Sequence, residues 1–304
     1  MFDSCSRLAK ENPHLCSVKI NVMYTLNANG RLLWLHPPAI MGIINITPDS
    51  FYAESREQNI VGVLAKAGKM IGEGAVILDI GGQSTRPGAD RVGVEEELNR
   101  VIPVIEALAK AYPETLLSVD TFYAKVAFAA VRAGASIVND VSAGLVDSAM
   151  IETVAALKVP YIIMHIKGDP QTMQKNPFYQ DVIREVLDFF IERIACCRKA
   201  GITDLIADPG IGFGKTASHN FTLIRQLDAF AMLQVPLMLG VSRKSIVYKT
   251  LGIEAEEALN GTTVLHTAGL LKGANLLRVH DVLEAKQAVD LLLAMDALPH
   301  GESF

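Results

Sequence analysis

Three aspartates, Asp79, Asp120 and Asp208, each close a run of apolar residues: "VILD", "LLSVD" and "LIAD". A carboxylate at the end of a buried segment must be paired or must face a polar cavity, because a lone charge is very costly to bury. Other polar groups follow apolar runs in the same way: Asn45-Ile-Thr47-Pro-Asp49, "GGQSTRPG" after Asp79, Thr121, Asn139-Asp140, His165, Ser242-Arg243-Lys244, and Arg278-Val-His280-Asp281. Several carboxylates opposite Lys244 and Arg278 make a polar pocket. Ser242, Arg243, Lys244, Arg278 and His280 gather after the last two runs, where Arg grips phosphate oxygens bidentately and helix N-termini add amide donors. A phosphorylated substrate is the chemistry this pattern favours. Helix capping is the plainer reading of each Asp, Asn, Ser or Thr, and it suits Thr121 and Asp281 best.

Such groups need a scaffold that brings many strand ends together. Short β-rich runs recur at 39–46, 75–80, 115–120, 135–141, 160–166, 204–208, 235–241 and 275–280. Between them, segments of helical periodicity span 61–74, 94–112, 124–134, 146–158, 180–201, 220–234 and 255–273, and a last one begins at 282. Gly74, Gly134, Gly201 and Gly273 fall where left-handed helix caps are expected. About eight strand–helix units have the size and rhythm of an α/β protein, a (β/α)8 TIM barrel, whose active face lies at the C-terminal strand ends. A doubly wound open sheet is the alternative. Ahead of the barrel, Asn29-Gly30 between two strand-like runs predicts an N-terminal β-hairpin. No linker marks a second domain, so 26–304 is expected to be one domain, after an extension, 1–25, of open role.

The chain has 304 residues, 50% of them hydrophobic, and a formal net charge of −5. That balance argues against a broad grip on nucleic acid or anionic lipid. No apolar stretch nears the roughly 18 residues of a membrane span, and the start lacks a signal-peptide layout, so a cytoplasmic protein is expected. Cys5, Cys16, Cys196 and Cys197 lack metal-ligand spacing and are expected to be inert thiols. "GIGFGKT" (210–216) looks like a nucleotide phosphate loop, but it has three residues, not four, between Gly210 and the Gly214-Lys215 pair, so it reads as a Gly-rich connection. His14, His36, His219, His266 and His300 read as bystanders.

"MGIINITPDSF", "DIGGQSTRPG", "SVDT", "VNDVSAG", "MHIKGDPQTMQ", "ADPGIGFGK", "GVSRKS" and "RVHDV" follow one another along the chain. In this order they resemble the dihydropteroate synthase family of pterin-binding TIM barrels, and the resemblance covers residues 26 to 290. It implies condensation of 6-hydroxymethyl-7,8-dihydropterin diphosphate with 4-aminobenzoate to 7,8-dihydropteroate and pyrophosphate, in folate biosynthesis. It implies a homodimer, small-molecule substrates and Mg²⁺. Carried over by motif, Asp120, Asn139, Asp208 and Lys244 bond the pterin, with Met164, Phe213 and Gly240 around it. Asn45, Thr85, Arg278 and His280 take the diphosphate, with Mg²⁺ shared between it and Asn45. Thr85, Arg86, Pro87, Phe213, Lys244 and Ser245 lie near the aminobenzoate. Asp79, Asp120, Asp208 and Lys244 are the expected catalytic set, Asp79 and Asp120 as stabilisers of a pterin cation. The loops 47–58 and 81–93 are implied to fold over the site.

Two departures stand out. The first loop reads "SFYAESR" where many members have Ser-Phe-Ser-Asp-Gly-Gly, with Glu54 a substitute for the usual aspartate, and Gln83 stands where Glu is usual. Two rival readings remain, a pterin-binding methyltransferase and a non-catalytic pterin-binding barrel.

Overall fold

The computed structural model describes residues 24–35, 38–46, 56–83, 91–168, 173 and 177–297. β1 (Thr25–Ala28) and β2 (Arg31–Trp34) pair antiparallel around Asn29 (φ 55°) and Gly30 (φ 85°), the left-handed pair that a tight hairpin requires. The Tyr24 carbonyl accepts from Leu35 N–H at 2.9 Å, continuing the pairing one residue beyond each strand.

Eight parallel strands follow: β3 (Ala39–Asn45), β4 (Ile77–Gly81), β5 (Leu116–Asp120), β6 (Ile137–Asp140), β7 (Tyr161–Met164), β8 (Leu205–Asp208), β9 (Met238–Leu239) and β10 (Leu276–Val279). Their order is β8-β7-β6-β5-β4-β3-β10-β9, and a parallel bridge from Ala207 to Leu237 joins the two ends into a ring. The expected barrel and hairpin are both present. β9 is shorter than expected: before it the Leu237 N–H goes to Asn275 Oδ1 at 2.9 Å in place of a neighbouring strand, and Gly240 follows it.

The helices are α1 (Arg56–Gly72), α2 (Val94–Ala111), α3 (Ala124–Ala133), α4 (Met150–Leu157), α5 (Val182–Lys199), α6 (Ala217–Arg225), α7 (Ser245–Leu251), α8 (Leu259–Leu271) and α9 (Val282–Ala297). Two expectations need correction. The segment 220–234 splits into α6 and a 3₁₀ turn at Leu227–Leu233, and 255–273 splits into a 3₁₀ turn at Ala255–Glu257 and α8. α7 was not anticipated, since seven residues are too short to display a helical period. Gly74, Gly134, Gly201 and Gly273 all take positive φ, as their capping positions require.

Along each strand, side chains alternate between the barrel interior and the helix layer. One interior level is apolar: Met41, Ile77, Leu116, Ile137, Ile162, Ile206, Met238 and Leu276 form one cluster with Leu26, Ala28, Leu33 and Leu35. The hairpin therefore plugs the N-terminal end of the barrel. The larger cluster packs the outer strand faces against the helices.

Candidate active site

Two residues beyond the apolar level, the period-two rule brings Asp79, Ser118, Asn139, Met164, Asp208, Gly240 and Arg278 to the next interior level, and Asn45 and Asp120 to the rim. Capping does not explain them. Asp181 caps α5 by accepting from Ile183 and Arg184 N–H, and Thr216 caps α6 by accepting from His219 N–H. His219, expected to be a bystander, completes that capping box. Thr121 accepts from Tyr123 N–H at 3.2 Å, while the α3 N-terminus is met by Asp147 from further along the chain.

Arg278 joins two of the carboxylates. Its Nε donates to Asp79 Oδ2 at 2.6 Å and its Nη2 to Asp120 Oδ2 at 2.7 Å, while Asn139 Nδ2 also donates to Asp79 Oδ2, at 3.0 Å. Burial lifts the Asp120 carboxyl to about 7, with the Arg278 charge opposing and the Asp79 charge reinforcing. Burial alone would lower the Arg278 pKa, and Asp79 and Asp120 override it and raise it. Asp79 is fully buried, and its Oδ1 has no hydrogen-bond partner, so acceptor capacity is left at the base of the site.

Across the ring, burial raises the Asp208 pKa against the Lys244 charge and the Gly210 N–H, which donates to Asp208 Oδ1 at 2.8 Å. Lys244 is drawn down to about 8 by burial, with Asp208 opposing. Its Nζ donates to Ile211 O at 2.7 Å and stands 4.6 Å from the centre of the Phe213 ring. A Cβ on Gly240 would lie 3.6 Å from Lys244 Nζ and 3.9 Å from Asp208 Oδ2, so its bare backbone forms part of the floor between them. Met164 belongs to an apolar wall with Phe122 and Val141, against which Phe213 packs. Phe122 and Val141 were missed in the sequence. Their only signal was position, just beyond Asp120 and Asn139.

Asn45 is exposed at the rim, where a Cβ on Gly81 would lie 3.7 Å from its Oδ1 and 3.6 Å from Asp120 Oδ2, so both oxygens border a space that the glycine leaves open. His280 is also exposed, and Ser242 Oγ holds it by accepting from its backbone N–H and meeting its Nδ1, each at 3.1 Å. Ser245 opens α7. Among the described residues, no group of three or more His, Cys, Asp or Glu is placed to hold a metal ion. One neutral oxygen at the rim suits Mg²⁺ only in the way that hard cation often binds, through few protein ligands and mostly substrate phosphate and water.

One basic candidate is removed by geometry. Arg243 (φ 51°) directs its fork away from the other basic groups, forming two 2.8 Å bonds to Asp281 and one of 2.7 Å to Glu256 O. It anchors a loop, and Asp281 is its counter-ion. Asp140 is likewise structural, accepting from Tyr161 Oη, from the Ser142 hydroxyl and N–H, and from Gly144 N–H. Cys197 is buried, which pushes its thiol up to about 11, in keeping with an inert role. Cys5, Cys16, His14, His36, His300, Thr47, Asp49, Glu54, Thr85, Arg86 and Pro87 lie outside the described residues, as do most of the first loop and the centre of the second. At the base of the second loop, Gln83 donates to Val92 O at 2.7 Å and to Glu97 Oε2 at 2.5 Å, and accepts from Val92 N–H at 3.0 Å. A glutamate could not reproduce that pattern, since it only accepts when ionised and, when protonated, donates once where Gln83 donates twice.

Comparison with known proteins agrees with this geometry. Residues 41–280 match the family model described as pterin binding enzyme. Dihydropteroate synthase of Escherichia coli (strain K12) is 43% identical over 271 residues, which are 88% of this chain and 95% of that protein. The Haemophilus influenzae synthase is 42% identical, over 84% of this chain and 94% of that protein. Among solved structures, Xanthomonas albilineans dihydropteroate synthase with 4-aminobenzoic acid superposes with a TM-score of 0.84 at 43% identity, over 91% of this chain and all of that one. The same enzyme in complex with 7,8-dihydropteroate gives 0.80 at 39% identity, over 90% of this chain and 99% of that one. With strand-end carboxylates, lysine and arginine gathered in one barrel mouth and these matches spanning most of the sequence, the chain belongs to the pterin-binding enzyme family, among the dihydropteroate synthases.

Proposed function

We infer that this chain joins 6-hydroxymethyl-7,8-dihydropterin diphosphate to 4-aminobenzoate, forming 7,8-dihydropteroate and pyrophosphate. The observation that carries the reading is the placement of Asp208 and Lys244 side by side over Gly240 in the barrel mouth, with the Arg278 cluster beyond them. A carboxylate suits the adjacent N–H donors of the 2-amino-pyrimidinone edge, and an ammonium suits its carbonyl and ring-nitrogen acceptors. Asn139 and Asp120 would complete pterin recognition, with Met164, Val141 and Phe213 as its walls.

In the reaction the bond between the exocyclic methylene carbon and the diphosphate oxygen breaks, and pyrophosphate leaves with the electron pair. The aminobenzoate nitrogen forms the new bond to that carbon and releases one proton. The protein supplies little covalent chemistry, so its contribution is positioning and charge stabilisation. Asp79 and Asp120 would stabilise positive charge developing on the pterin. Arg278, His280, Thr85 and Asn45 would receive the diphosphate, and Ser245, Arg86 and Pro87 would border the aminobenzoate. Mg²⁺ held by Asn45 and the diphosphate would, when bound, neutralise the leaving group. Because Arg278 is already engaged by two carboxylates, the diphosphate must draw on its remaining donors or displace one of those bonds.

The decisive assay is pyrophosphate release from the dihydropterin diphosphate with 4-aminobenzoate and Mg²⁺. Turnover dependent on both organic substrates is expected, and a folded protein with no release at saturation would overturn the reading. We further propose that the enzyme works in the cytosol as a homodimer. Exposed apolar side chains on α7 and α8, Leu251, Val264 and Leu271, offer surface for a second copy, and sedimentation equilibrium would test that state.

A further inference from the structure

The Gly-rich connection 209–216 resembles a phosphate loop, yet its lysine turns inward. Lys215 is 3% exposed. Its ammonium lies 2.9 Å from His165 Nδ1, 3.2 Å from His165 O, 2.9 Å from Gly210 O and 3.0 Å from Phe213 O. An ammonium has three N–H donors, so the cage satisfies the buried charge. The acceptors come from two connections, the end of β7 and the loop after β8.

The glycines let this happen. A Cβ on Gly210 (φ +68°) would sit 2.0 Å from His165 O, and one on Gly214 (φ +61°) would sit 2.5 Å from Lys167 O. The two connections therefore run closer together than any side chain at those positions permits. Other bonds hold the same loop: Tyr179 Oη donates to Gly214 O at 2.9 Å, and Gly212 N–H to Asn220 Oδ1 at 2.9 Å.

What the loop carries gives Lys215 its consequence. The two peptides that meet at Gly210 face opposite ways: the Gly210 carbonyl accepts from Lys215, and the Gly210 N–H donates to the Asp208 carboxylate at 2.8 Å. Phe213, whose carbonyl also accepts from Lys215, presents its ring to the site beneath Lys244, and Ile211 between them gives its carbonyl to Lys244. We propose that Lys215 is a positioning residue for pterin recognition, fixing the 208–213 backbone from behind so that the Asp208 carboxylate and the Phe213 ring are held in place before the pterin arrives. This role rests on the functional reading above. It is distinct from phosphate binding, since the ammonium faces backbone carbonyls and an imidazole nitrogen. Burial, with the Lys244 charge adding to it and Asp208 opposing, draws the lysine down to about 7, as expected for an ammonium enclosed in the fold.

The test compares Lys215→Met with Leu35→Ala, which loosens the hairpin plug at the opposite end of the barrel. Lys215→Met is expected to raise KM for the dihydropterin diphosphate at least tenfold and to lower kcat less than threefold, since it leaves the residues assigned to the diphosphate in place. Leu35→Ala is expected to lower Tm while leaving that KM within twofold of the native value. A folded Lys215→Met enzyme with unchanged pterin KM, or one losing only kcat, overturns the proposal. Absence of turnover in the native enzyme would overturn the functional reading alone. A second measurement needs neither variant nor activity: nitrogen NMR of His165 in the native protein near pH 6 is expected to show a neutral ring protonated at Nε2, with Nδ1 accepting from Lys215. A proton on Nδ1 overturns the proposal.

Discussion

Arg278 reaches from β10 to carboxylates on β4 and β5, and its removal would leave two buried acids without their counter-charge. Breaking such a pair from one side typically costs about 3–5 kcal/mol. Arg278→Ala is therefore expected to lower the unfolding free energy in urea by an amount of that order, and to weaken the pterin diphosphate more than the same pterin lacking the diphosphate. Equal losses for the two ligands in calorimetry would remove Arg278 from the diphosphate site. A second residue-scale expectation concerns His266 on α8, which is buried with Nε2 unpartnered and lowered to about 4 by burial, Asp281 opposing. Between the ordinary value of 6.5 and about 4, the unfolded chain binds a proton that the folded chain refuses. The contribution of the neutral ring is complete above 6.5 and is lost as pH falls through that window. Relative to the native chain, His266→Leu should therefore gain stability as pH drops from 6.5 to 4, by on the order of 3 kcal/mol. Parallel stability curves for the two proteins would show that His266 is not the source.

At the scale of elements, the close approach of the connections after β7 and β8 can be separated from backbone strain with two glycines of nearly equal φ. Gly210 (φ +68°) has a backbone oxygen 2.0 Å from where its Cβ would lie, whereas Gly252 (φ +67°), the C-cap of α7, has nothing within 4 Å. Left-handed strain costs both alanine variants about 1–2 kcal/mol. Gly252→Ala should lose about that and keep its pterin affinity. Gly210→Ala should lose considerably more in a thermal melt and bind pterin poorly, because the displaced backbone carries the N–H that holds Asp208. Similar melts for the two variants would mean that the connections part at little cost. The elements themselves were legible to different degrees. Each barrel strand is a short apolar run ending in polar residues, which reveals both its existence and its active end. α7 has seven residues and no full period, and α6 begins three residues before its apolar pattern because Thr216 and His219 cap it.

For the molecule as a whole, the barrel has one apolar end sealed by the hairpin and one polar end open to ligands, and the two should be separable in energy. Leu35 is 1% exposed within the plug. Leu35→Ala is expected to cost about 2–5 kcal/mol in chemical denaturation, the usual range for a large-to-small change in a core. Its effect on turnover at temperatures where it stays folded should be small, and a large fall in kcat there would show that the two ends are coupled.

The sequence by itself determined the alternation of strands and helices, the hairpin, and which residues stand at the active strand ends, because period-two and period-3.6 patterns are written locally. Eight motifs in one order also pointed to the family. The tertiary structure alone decided what those residues do to one another. Arg243 and Arg278 look alike as arginines at strand ends, yet one turns at φ 51° to bond Asp281 and the other crosses the barrel to Asp79 and Asp120. Lys215 and Lys244 are both lysines after apolar strands, yet the pairing of β7 with β8 and two glycines lacking a Cβ put one behind Asp208, while the other comes from the loop after β9 to stand in front of it. The Arg278 bonds join β10 to β4 and β5, far away in the chain, and their geometry exists only after β10 has met β3.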